Sequence, residues 1–200
     1  IASCNCKDQI GTDGYTLWGG YWNQAYYPSK RNGYMPAQTQ EGQIPVPVFR
    51  MLGSDPIYQY DTGLGNERQG VISLEPVYGN AGMNRQWVDY FFHSIVDEPC
   101  LAFNYAQAGQ ENSFTWKAMQ KGLEMQMPII DSLRHIGKVR VETLGESGAW
   151  FKQNYPNTPA TAVTTLQDVR GEGNKTVWFN SRYYRVNLLW KGTEFSFRDV

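Results

Sequence analysis

The chain carries little charge, and neither sign is in excess. Its 18 Lys and Arg residues oppose 19 Asp and Glu residues, and charged residues make up only 18% of the 200 positions, below the roughly 25% of an average soluble domain. Without a basic surplus, neither nucleic acid nor an anionic membrane surface is an expected partner. The sequence also lacks an apolar run of the roughly 20 residues that a bilayer-spanning helix requires, so we expect no membrane insertion.

Cysteine and histidine are scarce as well, with three and two residues respectively. CxxC, HxxxH and HExxH patterns are absent, so no motif supports a zinc site or a metal-dependent deacetylase. A GxSxG motif is also absent, which leaves a Ser-His-Asp triad without support. Neither glycine-rich stretch completes a nucleotide-binding loop. We therefore predict a protein without a metal or a cofactor.

Aromatic, glycine and amide residues are abundant instead. Aromatic residues make up 14% of the chain, among them 7 Trp and 13 Tyr, and there are 20 Gly. This composition excludes a disordered chain and a coiled coil, and the length suffices for one domain with a hydrophobic core. Residues 7–43 show no steady period and are predicted to form a long ordered loop.

Trp18 and Trp22 stand in this loop among several Tyr, Asn and Gln residues. A sugar ring has an apolar C–H face that suits an aromatic ring and a hydroxyl rim that suits amides and carboxylates. We therefore predict that the two tryptophans bind a carbohydrate. The alternative is that the rings of the loop pack beneath it as a small satellite core. Single-stranded nucleic acid also stacks on aromatic rings, but it needs a positively charged groove that this charge balance does not favour.

After this loop, short apolar segments alternate with amphipathic helices. One helix is predicted to begin at the N-cap Asn84 and to end at residues 97–99, and a second to run from near Ser113 to Gly137. The predicted strands cover residues 44–52, 70–74, 100–105, 138–144 and 162–166. Alternating strands and helices are typical of parallel βαβ units. The sequence thus predicts an α/β fold, a TIM-like (β/α) barrel that is whole or partial, since a complete barrel takes about 250 residues.

The C-terminal part of the chain has a different pattern. Three strand-like runs punctuated by Gly-containing turns predict an antiparallel β segment; they are 175–180, 183–190 and 193–198. We therefore expect a barrel-like domain over residues 1–170 and an antiparallel appendage, or the start of a following β domain, over residues 171–200. The first residue is Ile rather than Met and the last follows a predicted strand, so a processed form or a fragment of a longer protein is expected.

Carboxylates stand at or shortly after four successive predicted strands: Asp55, Glu75, Glu111 and Glu142. In such folds, ligands bind at the carboxyl ends of the strands. Cleavage of a glycosidic bond commonly uses two carboxyl groups, one as general acid and the other as nucleophile or general base. We predict Glu142 and Glu75 as this catalytic pair, with Glu111 as the substitute. The alternative for each carboxylate is a structural one, capping a helix or accepting hydrogen bonds from a loop.

Substrate binding is assigned to polar and aromatic side chains near the same strand ends. Asp55 is expected to bind hydroxyls or to orient a partner, and Tyr58, Asn104 and Gln107 are expected to bind the substrate. Together with the two loop tryptophans they would line a site for an oligo- or polysaccharide. The sequence does not indicate an oligomeric state.

Two N-terminal stretches, Cys-Asn-Cys-Lys-Asp-Gln at 4–9 and Gly-Thr-Asp-Gly-Tyr-Thr-Leu-Trp-Gly-Gly at 11–20, resemble secreted bacterial glycoside-hydrolase-like proteins of uncharacterised type. The stretches 53–56, 74–76 and 141–143 fit the same resemblance. It implies a (β/α) barrel, often followed by a β domain, and a polysaccharide-processing role outside the cytoplasm, whether periplasmic, secreted or at the cell surface. A non-catalytic carbohydrate-binding module and a metal-dependent polysaccharide deacetylase are the alternatives that stay open.

If the assigned pair is catalytic, Glu142→Gln and Glu75→Gln should each abolish hydrolysis while sugar binding is nearly retained. The reason is that an amide keeps the size of the side chain but can neither transfer the acid proton nor act as the nucleophile. Hydrolysis is measured as the release of reducing ends from a panel of oligosaccharides, and binding by titration calorimetry. Two variants that hydrolyse as fast as the parent would show that the pair is wrongly assigned.

Overall fold

The computed structural model describes residues 2–3, 10–11, 14–15, 24–33, 35–50, 53–62, 72–109 and 114–200 of the chain. Its helices are α1 Gln59–Thr62, α2 Arg85–Val96, α3 Trp116–His135 and α4 Leu144–Asn154. Its strands are β1 Ala2–Ser3, β2 Ile10–Gly11, β3 Gly14–Tyr15, β4 Ala25–Tyr26, β5 Val48–Arg50, β6 Cys100–Leu101, β7 Thr161–Thr165, β8 Asn174–Asn180, β9 Arg185–Lys191 and β10 Glu194–Asp199. None of the described helices is both long and apolar enough to cross a membrane.

Most of these strands pair in antiparallel fashion. The largest sheet has five strands in the order β10-β9-β8-β7-β6, and every neighbouring pair in it is antiparallel. A second sheet has the order β1-β5-β4, with β1 parallel and β4 antiparallel to β5, and β2 pairs antiparallel with β3. The C-terminal runs are therefore antiparallel, as their turns indicate, and β7 and β6 continue the same sheet. The division of the chain at residue 170 stays a prediction.

The prediction of a TIM-like (β/α) barrel is wrong. The described residues form a small mixed α/β domain whose strands do not close into a barrel. A strand was expected at 70–74, but its described residues, 72–74, form only a bridge from Ser73 to Ser54. A strand was also expected at 138–144, but residues 138–143 form no strand before α4 begins. The second difference has a local cause, because Thr143 and Glu146 form a capping box that starts a helix there.

Helix α2 forms as its sequence predicts. The Asn84 side chain accepts a hydrogen bond from the backbone N–H of Trp87 at 3.1 Å and so caps the first turn. The buried apolar stripe of the helix consists of Trp87, Val88, Phe91 and Phe92. The rings of Trp87 and Phe91 stack with their centroids 5.3 Å apart. The helix ends at its C-cap Asp97, as predicted.

Helix α3 begins at Trp116 and stops at the predicted glycine. Gly137 adopts a φ of 72°, a backbone conformation that favours glycine. The N–H of Gly137 bonds to the carbonyl of Arg134 at 3.0 Å, and the N–H of Lys138 bonds to that of Leu133 at 3.0 Å. This pair of hydrogen bonds is the Schellman motif, which satisfies carbonyls at the end of a helix.

The middle of α3 packs against the segment that precedes α2. Gln126 is fully buried and donates from Nε2 to the carbonyls of Leu74 at 2.9 Å and Gly82 at 2.6 Å. One turn earlier, Gly122 lies so close to Pro76 that a Cβ at position 122 would be 2.4 Å from the Pro76 carbonyl oxygen. The close approach of helix and segment therefore depends on the absence of a side chain at this position.

The large sheet buries the face that meets the turn before α1. Buried residues alternate along β7 and β8, and Trp178 near the centre is fully buried. Trp178 donates from Nε1 to the carbonyl of Pro56 at 2.8 Å. Arg198 of β10 donates to the same carbonyl at 3.0 Å and lies over the Trp178 ring, with Cζ 5.4 Å from its centroid. These contacts fix residues 55–58 against the sheet.

The opposite face of this sheet is apolar and partly exposed. Across β8, β9 and β10 it carries Val177, Leu188 and Phe197 in register. Phe195 and Phe197 are 50% and 64% exposed. The ring centroids of Phe195 and Phe197 lie 5.3 Å apart, and the ring centroids of Phe195 and Trp190 lie 5.0 Å apart. The aromatic rings of this face therefore pack against one another.

Gly122→Ala should destabilise the protein by about 1 to 3 kcal/mol, because the added Cβ would overlap the backbone of Pro76. Gly148→Ala is the matched control, since Gly148 also lies within a helix but a Cβ there meets nothing within 4 Å. The better helix propensity of Ala should stabilise this control by about 0.5 to 1 kcal/mol. Urea unfolding of both variants measures the two free energies. Equal changes would contradict the close packing at Gly122.

Candidate functional site

A cleft opens where the turn before α1 meets the large sheet. Its volume is about 410 Å³. The lining residues come from that turn, from the loop between β7 and β8, and from β8 and β9; they are Ile57, Tyr58, Arg170, Glu172, Asn174, Leu189 and Lys191. Aliphatic, aromatic, cationic, carboxylate and amide groups thus share one space, which suits a ligand with both apolar and hydrogen-bonding parts.

The Tyr58 hydroxyl joins the turn to the loop. It accepts a hydrogen bond from Asn174 Nδ2 at 2.9 Å, and it lies 2.9 Å from Asp168 Oδ1 and 3.0 Å from Glu172 Oε2. Its single hydrogen serves one of the two carboxylates at a time. Burial, together with these carboxylates, raises the pKa of Tyr58 above its ordinary value, so the hydroxyl keeps its proton.

Asp168 holds the loop between β7 and β8 in shape. Its Oδ1 accepts hydrogen bonds from the backbone N–H groups of Arg170 at 2.9 Å and Glu172 at 3.2 Å, and its Oδ2 accepts one from Asn174 at 2.7 Å. Burial on its own would raise the pKa of Asp168. These N–H groups and the Tyr58 hydroxyl outweigh that effect, and the pKa of Asp168 is lowered.

Two cations line the cleft. Arg170 lies over the Tyr58 ring, with Cζ 3.8 Å from the ring centroid, which is a close cation–π contact. Lys191 is the last residue of β9 and pairs in register with Asn174 of β8. In the described part of the chain, neither cation has a carboxylate within ion-pair distance.

Asp55 is fully buried and shapes the turn that presents Tyr58. Its Oδ1 accepts hydrogen bonds from the N–H groups of Ile57 at 2.8 Å and Tyr58 at 2.9 Å, and its Oδ2 accepts one from Trp87 Nε1 at 3.2 Å. Burial raises the pKa of Asp55, and these hydrogen bonds and the charge of Arg170 offset part of the rise. Asp55 therefore supports the position of Tyr58 and does not itself line the cleft.

The two glutamates predicted as a catalytic pair do not line this cleft. Glu142 is half-buried, accepts a hydrogen bond from the Ser147 hydroxyl at 2.9 Å and lies 3.4 Å from Arg140 Nε. Glu75 is also half-buried and accepts a hydrogen bond from the Ser73 hydroxyl at 3.1 Å. These particular contacts are with residues nearby in the sequence. The catalytic role of the pair stays a prediction.

Asn104 and Gln107 do not line the cleft either. Asn104 donates to the carbonyl of Ile95 at 2.6 Å and accepts a hydrogen bond from Gln24 Nε2 at 2.9 Å. Its amide therefore ties together segments that are distant in the sequence. Gln107 is half-buried. Substrate binding by these two residues stays a prediction.

Tyr58 is the predicted site residue that the structure brings into the cleft. Trp18, Trp22 and Glu111 lie outside the described residues. The two loop tryptophans and the substitute carboxylate are thus predictions that the described part of the chain does not address.

Sequence reasoning missed the polar residues of the cleft, which are Arg170, Glu172, Asn174 and Lys191. A signal for part of this set was present. Gly171 and Gly173 adopt φ values of 69° and 78°, and an Asp followed by closely spaced glycines indicates a tight loop whose N–H groups turn toward a carboxylate. Lys191 has no such signal, because only the pairing of β8 with β9 places it beside the loop.

Comparison with known proteins shows a likeness of fold. No family model matches the chain, and no curated protein matches it. The chain is similar to the crystal structure of a candidate glycoside hydrolase/deacetylase from Parabacteroides distasonis, with a TM-score of 0.65, 14% sequence identity and 90% of this chain covered. The chain spans about half of the length of that protein (48%). At this level of identity, the similarity shows a shared fold.

Asp168→Asn should destabilise the protein near neutral pH and flatten the acid part of its stability profile. The folded-state pKa of Asp168 lies below its ordinary value of 3.8. The ionised carboxylate therefore stabilises the fold at pH values above 3.8. This contribution is lost as the pH falls through the lowered pKa of the folded state. Urea unfolding should show a deficit that is largest near neutral pH and shrinks in strong acid.

Asp89→Asn is the control for this experiment, since it removes an exposed carboxylate whose partner is Arg85 on the same helix. An exposed pair of this kind contributes little to stability. A deficit of Asp168→Asn that is the same at every pH would contradict the role of the Asp168 carboxylate in the loop.

Proposed function

We propose that this chain belongs to a carbohydrate-active enzyme and that its cleft binds the sugar. The observation that carries the proposal is the cleft itself, where Ile57 and Leu189 line the same space as Arg170, Glu172 and Asn174. A sugar ring matches such a wall because it has an apolar face and a rim of hydroxyls. The shared fold with a candidate glycoside hydrolase/deacetylase supports the proposal.

Glu172 is the acceptor that we assign to the sugar hydroxyls. Its Oε2 lies 3.0 Å from the Tyr58 hydroxyl and accepts a hydrogen bond from Asn174 Nδ2 at 3.1 Å. These contacts orient the carboxylate, and no described residue donates to its Oε1. An oriented carboxylate with one available oxygen is a strong acceptor for a hydroxyl group.

The reaction we propose is the hydrolysis of glycosidic bonds, which commonly takes two carboxyl groups. Asp168 stands near Glu172 but does not line the cleft, and its two oxygens already accept backbone N–H groups. The proposed catalytic pair therefore remains Glu142 and Glu75, with Glu111 as the substitute, and Glu172 takes the binding role. The substrate would then be an oligo- or polysaccharide that extends beyond the cleft. An extracytoplasmic location is part of this proposal and rests on the N-terminal resemblance.

A non-catalytic carbohydrate-binding role is the second candidate function. It is favoured because Glu172 is the one carboxylate among the described residues that lines the cleft, whereas hydrolysis commonly requires two. The deacetylase alternative is suggested by the name of the similar structure. In the described part of the chain no group of three or more His, Cys, Asp or Glu side chains is placed to hold a metal ion, so we assign no residue to that reaction. Metal analysis of the native protein tests it.

Titration with a panel of neutral and acidic oligosaccharides tests the cleft, with Glu172→Gln as the variant. Loss of a hydrogen bond to a charged acceptor should weaken binding about tenfold. Glu124→Gln removes an exposed carboxylate of α3 that does not line the cleft and should bind as the parent does. Thermal unfolding checks that both variants are folded.

Release of reducing ends from the same panel distinguishes the enzyme from the binding module. Binding without hydrolysis favours the second candidate function. If Glu172→Gln binds each sugar as tightly as the parent does, or if the parent binds none of them, the cleft is not the carbohydrate site.

A further inference from the structure

We infer that the sugar bound in this cleft carries a carboxylate group, as uronic acids do. The inference rests on the proposed function, because it names the class of carbohydrate that the same cleft takes. It depends on how the charges of the cleft are paired, which is a separate observation from the shape of the cleft.

The positive charges of the cleft outnumber the negative ones. Among the described residues, those that line it and carry a charge are Arg170, Lys191 and Glu172. Glu194 stands opposite Lys191 across the β9–β10 pair, yet the two side chains are not within ion-pair distance. Arg170 likewise forms no ion pair with a described residue. Both cations are therefore available to a ligand.

The carboxylates closest to Arg170 in the sequence are already held by other donors. Asp168 accepts three backbone N–H groups at 2.9, 3.2 and 2.7 Å. Glu172 Oε2 is engaged by Tyr58 and Asn174 at 3.0 and 3.1 Å. The loop is thus stabilised by its own N–H and amide groups. Neither of these carboxylates lies within ion-pair distance of the Arg170 guanidinium.

The contact of Arg170 with Tyr58 also positions the guanidinium group. Its Cζ lies 3.8 Å from the centre of the ring, and the ring is fixed through its hydroxyl. Among the described residues, none accepts a hydrogen bond from the guanidinium of Arg170, so its N–H donors are available to a ligand. Those donors form a rigid fork that matches the two oxygens of a carboxylate.

A neutral sugar and an acidic sugar would use this cleft differently. A neutral sugar offers hydroxyl groups to two cations, whereas a carboxylate offers each of them a charge-assisted hydrogen bond. Arg170 and Lys191 are both exposed, so water and salt weaken the attraction. We therefore expect an acidic sugar to bind about tenfold more tightly than its uncharged counterpart, a preference that decreases with added salt.

The experiment compares each acidic oligosaccharide with its own methyl ester, which removes the charge and keeps the sugar and the linkage. The probes are tetrasaccharides of galacturonic, glucuronic and mannuronic acid, together with neutral and sulfated tetrasaccharides. Arg170→Gln and Lys191→Gln are the variants. Lys175→Gln is the control, because it removes an exposed lysine of β8 that does not line the cleft. Titration calorimetry at low and high salt measures each affinity.

The inference predicts that at least one acid binds about tenfold more tightly than its ester. Arg170→Gln and Lys191→Gln should each remove most of that preference, while Lys175→Gln should keep it. If acid and ester bind equally, or if only neutral sugars bind, the inference is overturned and the proposed function stands. Tighter binding of the sulfated sugar would overturn the assignment of a carboxylate. If no sugar of any kind binds, the proposed function fails as well.

Discussion

The hydrogen bonds that anchor one turn on the large sheet determine where the cleft lies. Trp178 of β8 and Arg198 of β10 both donate to the carbonyl of Pro56, at 2.8 and 3.0 Å, and Arg198 also donates to Asn187 of β9 at 2.6 Å. A buried carbonyl left without donors would destabilise the protein by about 1 to 3 kcal/mol. The turn is therefore tied directly to β8 and β10, and Arg198 also links it to β9, which places Tyr58 against the loop that follows β7.

Two aspartates then shape the segments that meet at Tyr58. Asp55 accepts N–H groups of the turn, and Asp168 accepts N–H groups of the loop, so each fixes one wall of the cleft. Their pKa values nevertheless move in opposite directions. Asp55 is fully buried and its desolvation dominates, whereas the donors around the less buried Asp168 outweigh desolvation. The acceptors that build the site are therefore distinct from Glu172, the carboxylate that lines it.

Signals that act within a few residues were sufficient to predict the local elements. The Asn84 cap, the Gly137 stop and the turns between the C-terminal strands all act over short distances, and the structure contains each of them. The pairing of the strands depends on contacts between distant residues, and alternation of strands with helices did not reveal it. The capping box of Thr143 and Glu146 shows how one local signal can override another, since it places a helix after a run of β-branched residues.

The candidate site was harder to predict from the sequence, because it also depends on contacts between distant residues. A carboxylate in a sequence has the same hydrogen-bonding capacity wherever it stands, but its availability to a ligand depends on the donors that the fold brings to it. Asp55 has three such donors and is fully buried, so no ligand can reach it. Glu172 has donors on one oxygen, beside two cations that lack carboxylate partners among the described residues. The chemistry of the cleft therefore follows from which groups remain unpaired after folding, and residue type alone does not contain that information.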